Sequence, residues 1–183
     1  NPGGFYSPSD NSVSWLLESE PLDHEKYELN TRGLSADIYD GLHKPVNPLS
    51  NLKTANALIF VLAGIFRRER ELDDCFILNQ FGRIAEAGHS NIFIVHENRL
   101  ITPPLSEGCI AGTMRQTVLD LARSAGYHTE EKGLLETHLL EAEEIFITNA
   151  IQGIQWIGAY KDRRYYNFVA RKLTALLNEV AFG

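Results

Sequence analysis

The sequence has few of the residues on which disulfide-rich and metal-binding proteins depend. Its 183 residues include two cysteines, Cys75 and Cys109, which are too few for a disulfide framework. No CxxC or HxxxH pair accompanies them, so we expect no zinc site and no other metal site. The apolar run around Cys75 indicates a core residue, because a free cysteine packs as a small hydrophobe. This cysteine usage favours a reducing cytoplasm.

Clustered positive charge and long apolar runs are also missing. The formal net charge is −7, and the most basic stretch, RRERE at 67–71, alternates its cations with glutamates. Such a stretch is typical of the solvated end of a helix, so we expect no nucleic-acid partner. The longest apolar run, 57–66, is far too short to cross a bilayer, so we expect no membrane partner either.

The pattern of apolar residues predicts strands and helices that are joined by short links. Strands are predicted at 13–18, 27–29, 34–39, 75–78, 84–86, 91–95, 99–102, 144–148 and 154–159. Helices are predicted at 54–70, from Met114 to the glycine at 126, at 137–142 and at about 167–180. This mixture predicts a fold of the α/β or α+β class.

Three polar loops stand beside these apolar elements and contain the candidate functional residues. They hold Lys53, Glu86 and the helix start Gly112-Thr113-Met114. Taken singly, each has an ordinary interpretation. Lys53 is then a solvated lysine at a helix start, Glu86 a charge at the end of a strand, and Thr113 a helix cap.

Taken together, the three loops offer one group for each requirement of a pyridoxal phosphate (PLP) site. Such a site needs a lysine amine that condenses with the cofactor aldehyde, which Lys53 provides. It needs a carboxylate that keeps the ring nitrogen protonated, for which Glu86 is the candidate. It also needs backbone N–H groups for the phosphate, which the start of a helix at Gly112 supplies.

Five ordered motifs resemble those of the class IV aminotransferases, the fold-type IV PLP enzymes, over residues 49–159. They are NLKTAN (51–56), GRIAEAGHSNIF (82–93), TPPL (102–105), AGTMR (111–115) and EIFITNA (144–150). The separation of 33 residues between Lys53 and Glu86 (86 − 53) also fits that family. The resemblance implies the large C-terminal domain of that fold, a mixed β-sheet or pseudo-barrel with flanking helices.

The resemblance also assigns roles to individual residues. It implies that Lys53 is the Schiff-base lysine and the base that moves the substrate α-proton, and that Glu86 pairs with the pyridine nitrogen. The backbone at Gly112, Thr113 and Met114 would hold the phosphate.

Further residues border the implied site. Asn149 and Ala150 would adjoin the phosphate from a second loop, although a simple turn role for Asn149 stays open. His89 would at most line the site. Arg115 would serve the phosphate or be an exposed residue of the first helical turn.

The resemblance implies a smaller N-terminal domain, and we expect these residues to contain only its end. By the resemblance, residues 1–48 are the end of that region with the interdomain linker, and residues 49–183 are the PLP-binding domain. The missing part normally provides a phosphate-binding arginine, so we expect these residues alone to bind PLP weakly. The family also implies a homodimer and a small-molecule amino substrate.

Three functions remain open at this point. The first is 4-amino-4-deoxychorismate lyase, which forms 4-aminobenzoate and pyruvate in folate precursor synthesis. It is favoured because TNAIQGI (148–154) and AGTMR (111–115) are more similar to lyase motifs than to those of branched-chain enzymes. The second is a branched-chain or D-amino-acid aminotransferase. The third is a truncated, non-catalytic fragment that binds PLP or mediates dimerisation.

Overall fold

The computed structural model of the chain describes residues 10–21 and 25–183. Within those ranges the strands are β1 (Leu34–Lys44), β2 (Asp74–Asn79), β3 (Ile84–Ala87), β4 (Asn91–His96), β5 (Arg99–Thr102), β6 (His128–Glu131), β7 (Glu144–Asn149), β8 (Gly153–Tyr160) and β9 (Arg163–Arg164). The helices are α1 (Leu58–Glu69), α2 (Thr113–Ser124), α3 (Glu136–Glu141) and α4 (Phe168–Phe182), with a 3₁₀ turn at Leu105–Glu107.

The described strands form one mixed sheet that curls toward closure. Their order is β3-β2-β1-β8-β7-β4-β5-β6, with β9 beside β8. The pairs β1–β2, β1–β8 and β5–β6 are parallel and the others are antiparallel. The two ends of this order meet where the Ile84 N–H donates to the Leu134 carbonyl, which follows β6, at 2.8 Å. The predicted mixed sheet with flanking helices is therefore confirmed, and it has the form of a half-barrel.

Both faces of the central strands are buried, and β4 shows how the layers are built. Ile92 and Ile94 point to an inner cluster with residues of β2, β3, β7 and β8. Phe93 and Val95 point to the opposite face, because side chains alternate along a strand, and there they pack against α2 and α4. A strand that is buried on both faces has a nearly continuous apolar sequence, and NIFIV (91–95) is an example.

The helix α1 covers β1 and β2 at one end of the sheet. Its Ala63 lies in a small cluster with Tyr39, Cys75 and Ile77. The prediction that Cys75 is a core residue is confirmed, because its side chain is fully buried. Burial raises the pKa of its thiol to about 12, so it stays protonated at neutral pH.

The strand β1 extends further than predicted and lies within the sheet, between β2 and β8. It precedes the predicted domain boundary at 48/49 and yet shares its hydrogen bonds with strands that follow that boundary. The division into 1–48 and 49–183 stays a prediction.

Two of the predicted strands are wrong. Residues 13–18 form no strand, and the apolar side chains of Val13, Trp15, Leu16 and Leu17 are each more than four-fifths exposed. Residues 27–29 are also not a strand. Instead the Asn178 side chain of α4 bonds both the N–H and the carbonyl of Tyr27, at 2.9 Å each. None of the helices in the described ranges is long and apolar enough to cross a membrane.

Candidate functional site

Glu86 lies on β3, and its carboxylate is almost completely buried. One oxygen, Oε2, accepts a hydrogen bond from the Ile110 N–H at 2.9 Å. The other, Oε1, pairs with the Lys44 ammonium group at the end of β1. Burial raises the pKa of the Glu86 carboxyl, while the Lys44 charge, the Ile110 hydrogen bond and the charge of Lys53 lower it.

Lys53 lies in the loop between β1 and α1 with an exposed side chain. This loop is fixed two residues earlier, where Asn51 donates to the carbonyls of Leu105 and Cys109 at 2.8 and 2.7 Å. The Asn51 carbonyl also accepts from the Ala111 N–H at 2.9 Å.

The segment 105–111 is therefore linked to the loop of Lys53 and to Glu86. It anchors the Lys53 loop through Asn51, and it contacts the Glu86 carboxylate through Ile110. Lys53 is also close enough for its charge to lower the pKa of Glu86. The structure thus brings the amine and the carboxylate to one place, although 33 residues separate them in the sequence (86 − 53).

The start of α2 continues directly from that segment. Gly112 is its N-cap residue, with an extended backbone and no side-chain cap. Thr113 is the first helical residue, so its predicted alternative role as the cap is wrong. Within the described part of the chain, the N–H groups of Thr113 and Met114 have no hydrogen-bond acceptor. Free N–H groups at a helix start favour a phosphate or another anion.

Asn91 connects this helix start to the sheet. Its amide donates to the Ile110 carbonyl at 2.8 Å, and its Oδ1 lies where a β-carbon on Gly112 would be. Asn91 is the register partner of Thr148 on β7, so both side chains project from the same face of the sheet. The Thr148 hydroxyl oxygen is buried without a hydrogen-bond partner among the described residues. This hydroxyl can therefore donate a hydrogen bond to a bound group.

The second predicted phosphate loop is built around Asn149. Its Oδ1 accepts from the N–H groups of Ile151 and Gln152 at 3.0 and 2.8 Å, which is the turn role that the sequence left open. Its amide donates to Ser90 Oγ at 3.0 Å, so it also ties this loop to the one that follows Glu86. Ala150 is exposed at the tip of the turn.

His89 and Arg115 have partners outside the group around Glu86. His89 is half-exposed, and its Nδ1 lies 3.7 Å from Oδ2 of the buried Asp74. Arg115 is buried and donates to the Pro103 carbonyl at 2.8 Å and to the Glu131 carboxylate at 2.6 Å. The expectation that Arg115 is an exposed residue of the first turn is therefore wrong.

Lys44 is the functional candidate that the sequence did not reveal. The strand predicted at 34–39 stops short of Lys44, and the two prolines of KPVNPLS (44–50) disfavour regular structure there. In the structure the strand continues to Lys44, which is buried. The available signal was a lysine at the end of a strand-like run, which is also the ordinary setting of a solvated lysine.

The chemistry of these groups fits a cofactor that combines a phosphate with a protonated ring nitrogen. Among the described residues, the N–H groups of Thr113 and Met114 and the Thr148 hydroxyl have no partner, and they suit the phosphate. The buried Glu86 carboxylate suits the ring nitrogen. Lys53 supplies an accessible amine on the loop that is anchored beside them.

The family model and the similar proteins all indicate the same family. The family model described as amino-transferase class IV matches residues 1–160. A probable branched-chain-amino-acid aminotransferase of Thermotoga maritima is 32% identical over 138 residues, which is 73% of this chain and 50% of that protein. The aminodeoxychorismate lyase of Vibrio harveyi is 30% identical over 130 residues, which is 70% of this chain and 48% of the lyase.

A solved structure shows the same fold. The branched-chain amino acid aminotransferase of Thermobaculum terrenum, in its PLP form, superimposes with a TM-score of 0.76 at 26% identity. The match covers 81% of this chain and 51% of that one. The chain therefore spans about half the length of the relatives that it matches.

Proposed function

This chain belongs to the class IV aminotransferase family, and from that membership we propose that it binds PLP and acts on an amino substrate through Lys53. One observation carries the proposal. The segment 105–111 is hydrogen-bonded to Glu86, to Asn51 in the Lys53 loop and to Asn91 beside the start of α2. One short piece of chain thus connects the loop that carries the candidate amine, the candidate carboxylate and the helix start with the candidate phosphate donors, which supports the proposal.

Each group then has one task. When bound, PLP supplies an electron sink for the charge that develops on the substrate carbon as its proton is removed. Lys53 would hold the cofactor covalently and carry the proton to and from that carbon. Glu86, as a carboxylate, would keep the ring nitrogen protonated. The N–H groups of Thr113 and Met114 would bind the phosphate, with Ala150 adjoining it from the second loop.

The replacement Lys53→Ala tests this assignment. We expect the unmodified chain to acquire violet absorbance with PLP, and borohydride reduction to fix the cofactor to the Lys53 peptide. Lys53→Ala should lose both signals, while Lys132→Ala, which removes another exposed lysine, should keep them. The proposal is wrong if Lys53→Ala retains the absorbance and the reduced cofactor is found on a different residue.

The finer proposal is that the protein is a 4-amino-4-deoxychorismate lyase. Its support is the likeness of residues 148–154 and 111–115 to lyase motifs, together with the similarity to the Vibrio harveyi enzyme. A lyase of this kind releases 4-aminobenzoate and pyruvate from one substrate, without a second amino acceptor. Equal amounts of both products from the cofactor-loaded protein would support it.

The second candidate is a branched-chain or D-amino-acid aminotransferase, which the Thermotoga maritima relative favours. Amino transfer from such an amino acid to 2-oxoglutarate, without release of 4-aminobenzoate, would support this candidate and contradict the lyase. A chain that is labelled at Lys53 but catalyses neither reaction would instead match a non-catalytic fragment.

We also propose that the protein acts as a homodimer. The support is the family expectation alone, and sedimentation equilibrium tests it. A molar mass of twice the chain mass of 20.6 kDa is the expected result, and a monomer at high concentration would contradict it.

A further inference from the structure

A buried ion pair links Lys44, at the end of β1, to Glu86, the candidate carboxylate for the cofactor ring nitrogen. The Lys44 and Glu86 side chains are only 7% and 3% exposed, and their charged groups are in direct contact. The Lys44 ammonium also donates to the Ser50 carbonyl at 3.1 Å and lies 5.3 Å from the centre of the Phe60 ring. Lys44 is thus held in place from three sides, and its charge is directed at Glu86.

Stability alone gives little reason for this pair. Moving two ions out of water carries a large desolvation penalty, and an apolar pair of similar volume often stabilises a fold as well or better. Removing one partner is costly, however, because the other charge is left buried and unpaired. Stability is therefore not a sufficient reason for the pair, whereas its geometry places a positive charge directly on the Glu86 carboxylate.

From this geometry we infer that Lys44 is a positioning residue, which keeps the Glu86 carboxylate ionised and oriented to receive a protonated ring nitrogen. The inference rests on the proposed function. A carboxylate offers about four acceptor positions, and Lys44 and the Ile110 N–H occupy one on each oxygen. Positions therefore remain on both oxygens for the cofactor.

The titratable and charged groups around Glu86 support this role. Lys44 approaches from β1, Lys53 from the loop before α1, and Cys109 from the segment before α2. Burial raises the pKa of the Cys109 thiol to about 11, so it is neutral at pH 7. Burial also raises the pKa of Glu86, and Lys44 opposes this shift more strongly than Lys53 does.

Without Lys44, the carboxyl group would hold a proton to higher pH. A neutral carboxylic acid beside the ring nitrogen would not favour the protonated ring, because the ion pair between carboxylate and ring cation would be lost. Lys44 thereby acts on the chemistry through Glu86 and has no need to touch the substrate or the cofactor.

The test measures the pKa of Glu86 directly, in the chain without PLP. Carbon-13 NMR of the glutamate carboxyl groups, assigned with Glu86→Gln, gives the titration midpoint. We expect Lys44→Met, which retains a long apolar side chain, to raise the midpoint by about one pH unit or more. Lys44→Arg, which keeps the positive charge, should leave the midpoint near its original value. An unchanged midpoint in Lys44→Met would overturn the inference.

A folding defect in Lys44→Met has its own interpretation. The double variant Lys44→Met/Glu86→Gln should then fold, because the carboxylate that lost its partner is gone. If the double variant also fails to fold, Lys44 has a packing role and the inference is wrong.

PLP binding then separates this inference from the proposed function. We expect Lys44→Met to weaken PLP binding about tenfold, which corresponds to about 1.4 kcal/mol, and Lys44→Arg to restore it. Labelling of Lys53 with an unchanged Glu86 midpoint would reject only the role of Lys44. A shifted midpoint without labelling of Lys53 would reject the proposed function, and with it the purpose assigned to the pair.

Discussion

Asp74 is a buried carboxyl group that the proposed chemistry does not use. Its Oδ1 accepts from the N–H groups of Cys75 and Gly88 at 2.7 and 3.1 Å, whereas its Oδ2 has no hydrogen-bond partner within the described ranges. Burial raises the pKa of Asp74 above its ordinary value, although His89 and the two hydrogen bonds oppose the shift. The folded chain therefore binds this proton more tightly than the unfolded chain does.

The replacement Asp74→Asn should change how stability depends on pH. Because the folded pKa is raised, the original chain loses stability as the pH rises from the ordinary value of 3.8 through the folded value. Asparagine has no group that titrates in this range, so the free energy of unfolding of the variant should rise relative to that of the original chain between acid and neutral pH. Urea unfolding at both pH values measures the difference.

The neighbouring Asp73 provides a control of opposite sign. Burial acts to raise its pKa, but hydrogen bonds from Ser35 and Arg32 outweigh this effect, and the pKa is lowered. Its contribution to stability is present above pH 3.8 and is lost as the pH falls through the lowered folded value. Asp73→Asn should therefore lose stability at neutral pH relative to acid, whereas equal pH profiles for the two variants would contradict both assignments.

The residues selected from the sequence all belong to local motifs that can be recognised without the structure. Lys53, Glu86 and Gly112 each stand in a short polar motif beside an apolar run. Lys44 and Asn91 were not assigned roles, because their importance comes from contacts between segments that are distant in the sequence. A buried lysine is recognised by its surroundings, and no local pattern in the sequence describes those surroundings.

The residue before α2, the N-cap Gly112, is a glycine for a reason that the structure makes clear. A β-carbon on Gly112 would overlap Oδ1 of Asn91, and the Asn91 amide is already committed to the Ile110 carbonyl. Gly112→Ala should therefore displace either Asn91 or the first turn of α2. We expect about tenfold weaker PLP binding, as for the loss of one hydrogen bond, measured by absorbance titration.

Gly64 in α1 is the matched control for this replacement. A β-carbon there would meet no atom of the described residues within 4 Å. Gly64→Ala should raise the free energy of unfolding by about 0.5–1 kcal/mol, because alanine favours a helix more than glycine does. It should leave PLP binding unchanged. Equal weakening of PLP binding by both replacements would remove the special role of Gly112.

Elements with a strong apolar pattern were predictable, and polar ones were not. The runs NIFIV and EIFIT correspond to β4 and β7, which are buried on both faces. The strand β6 pairs in parallel with β5. Its sequence, HTEE, has no apolar alternation from which a strand could be predicted. Residues 13–18 have a strand-like pattern but no strand partner in the described part of the chain, and a strand forms only where one is available.

At the scale of the whole molecule, the sheet is closed by a contact that is remote in sequence. The bridge between Ile84 and Leu134 joins β3 to the segment after β6, and the Leu134 side chain is completely buried in the inner cluster. Patterns along the chain identify strands, but they do not say which edges meet. The barrel-like form of the sheet could therefore be predicted from the family resemblance, but not from the periodicity of apolar residues. Glu86 lies on β3, so this closure also fixes one side of the candidate site.

The replacement Leu134→Ala tests how much the closure contributes. Removing a fully buried leucine side chain should cost about 2–5 kcal/mol, because it loses apolar burial and leaves a cavity. Its neighbour Leu135 is 45% exposed, so Leu135→Ala should cost much less. Urea unfolding of the two variants measures the contrast. If both cost the same, the contact between β3 and the end of β6 does not hold the sheet closed, and the buried setting of Glu86 must depend mainly on Lys44 and Ile110.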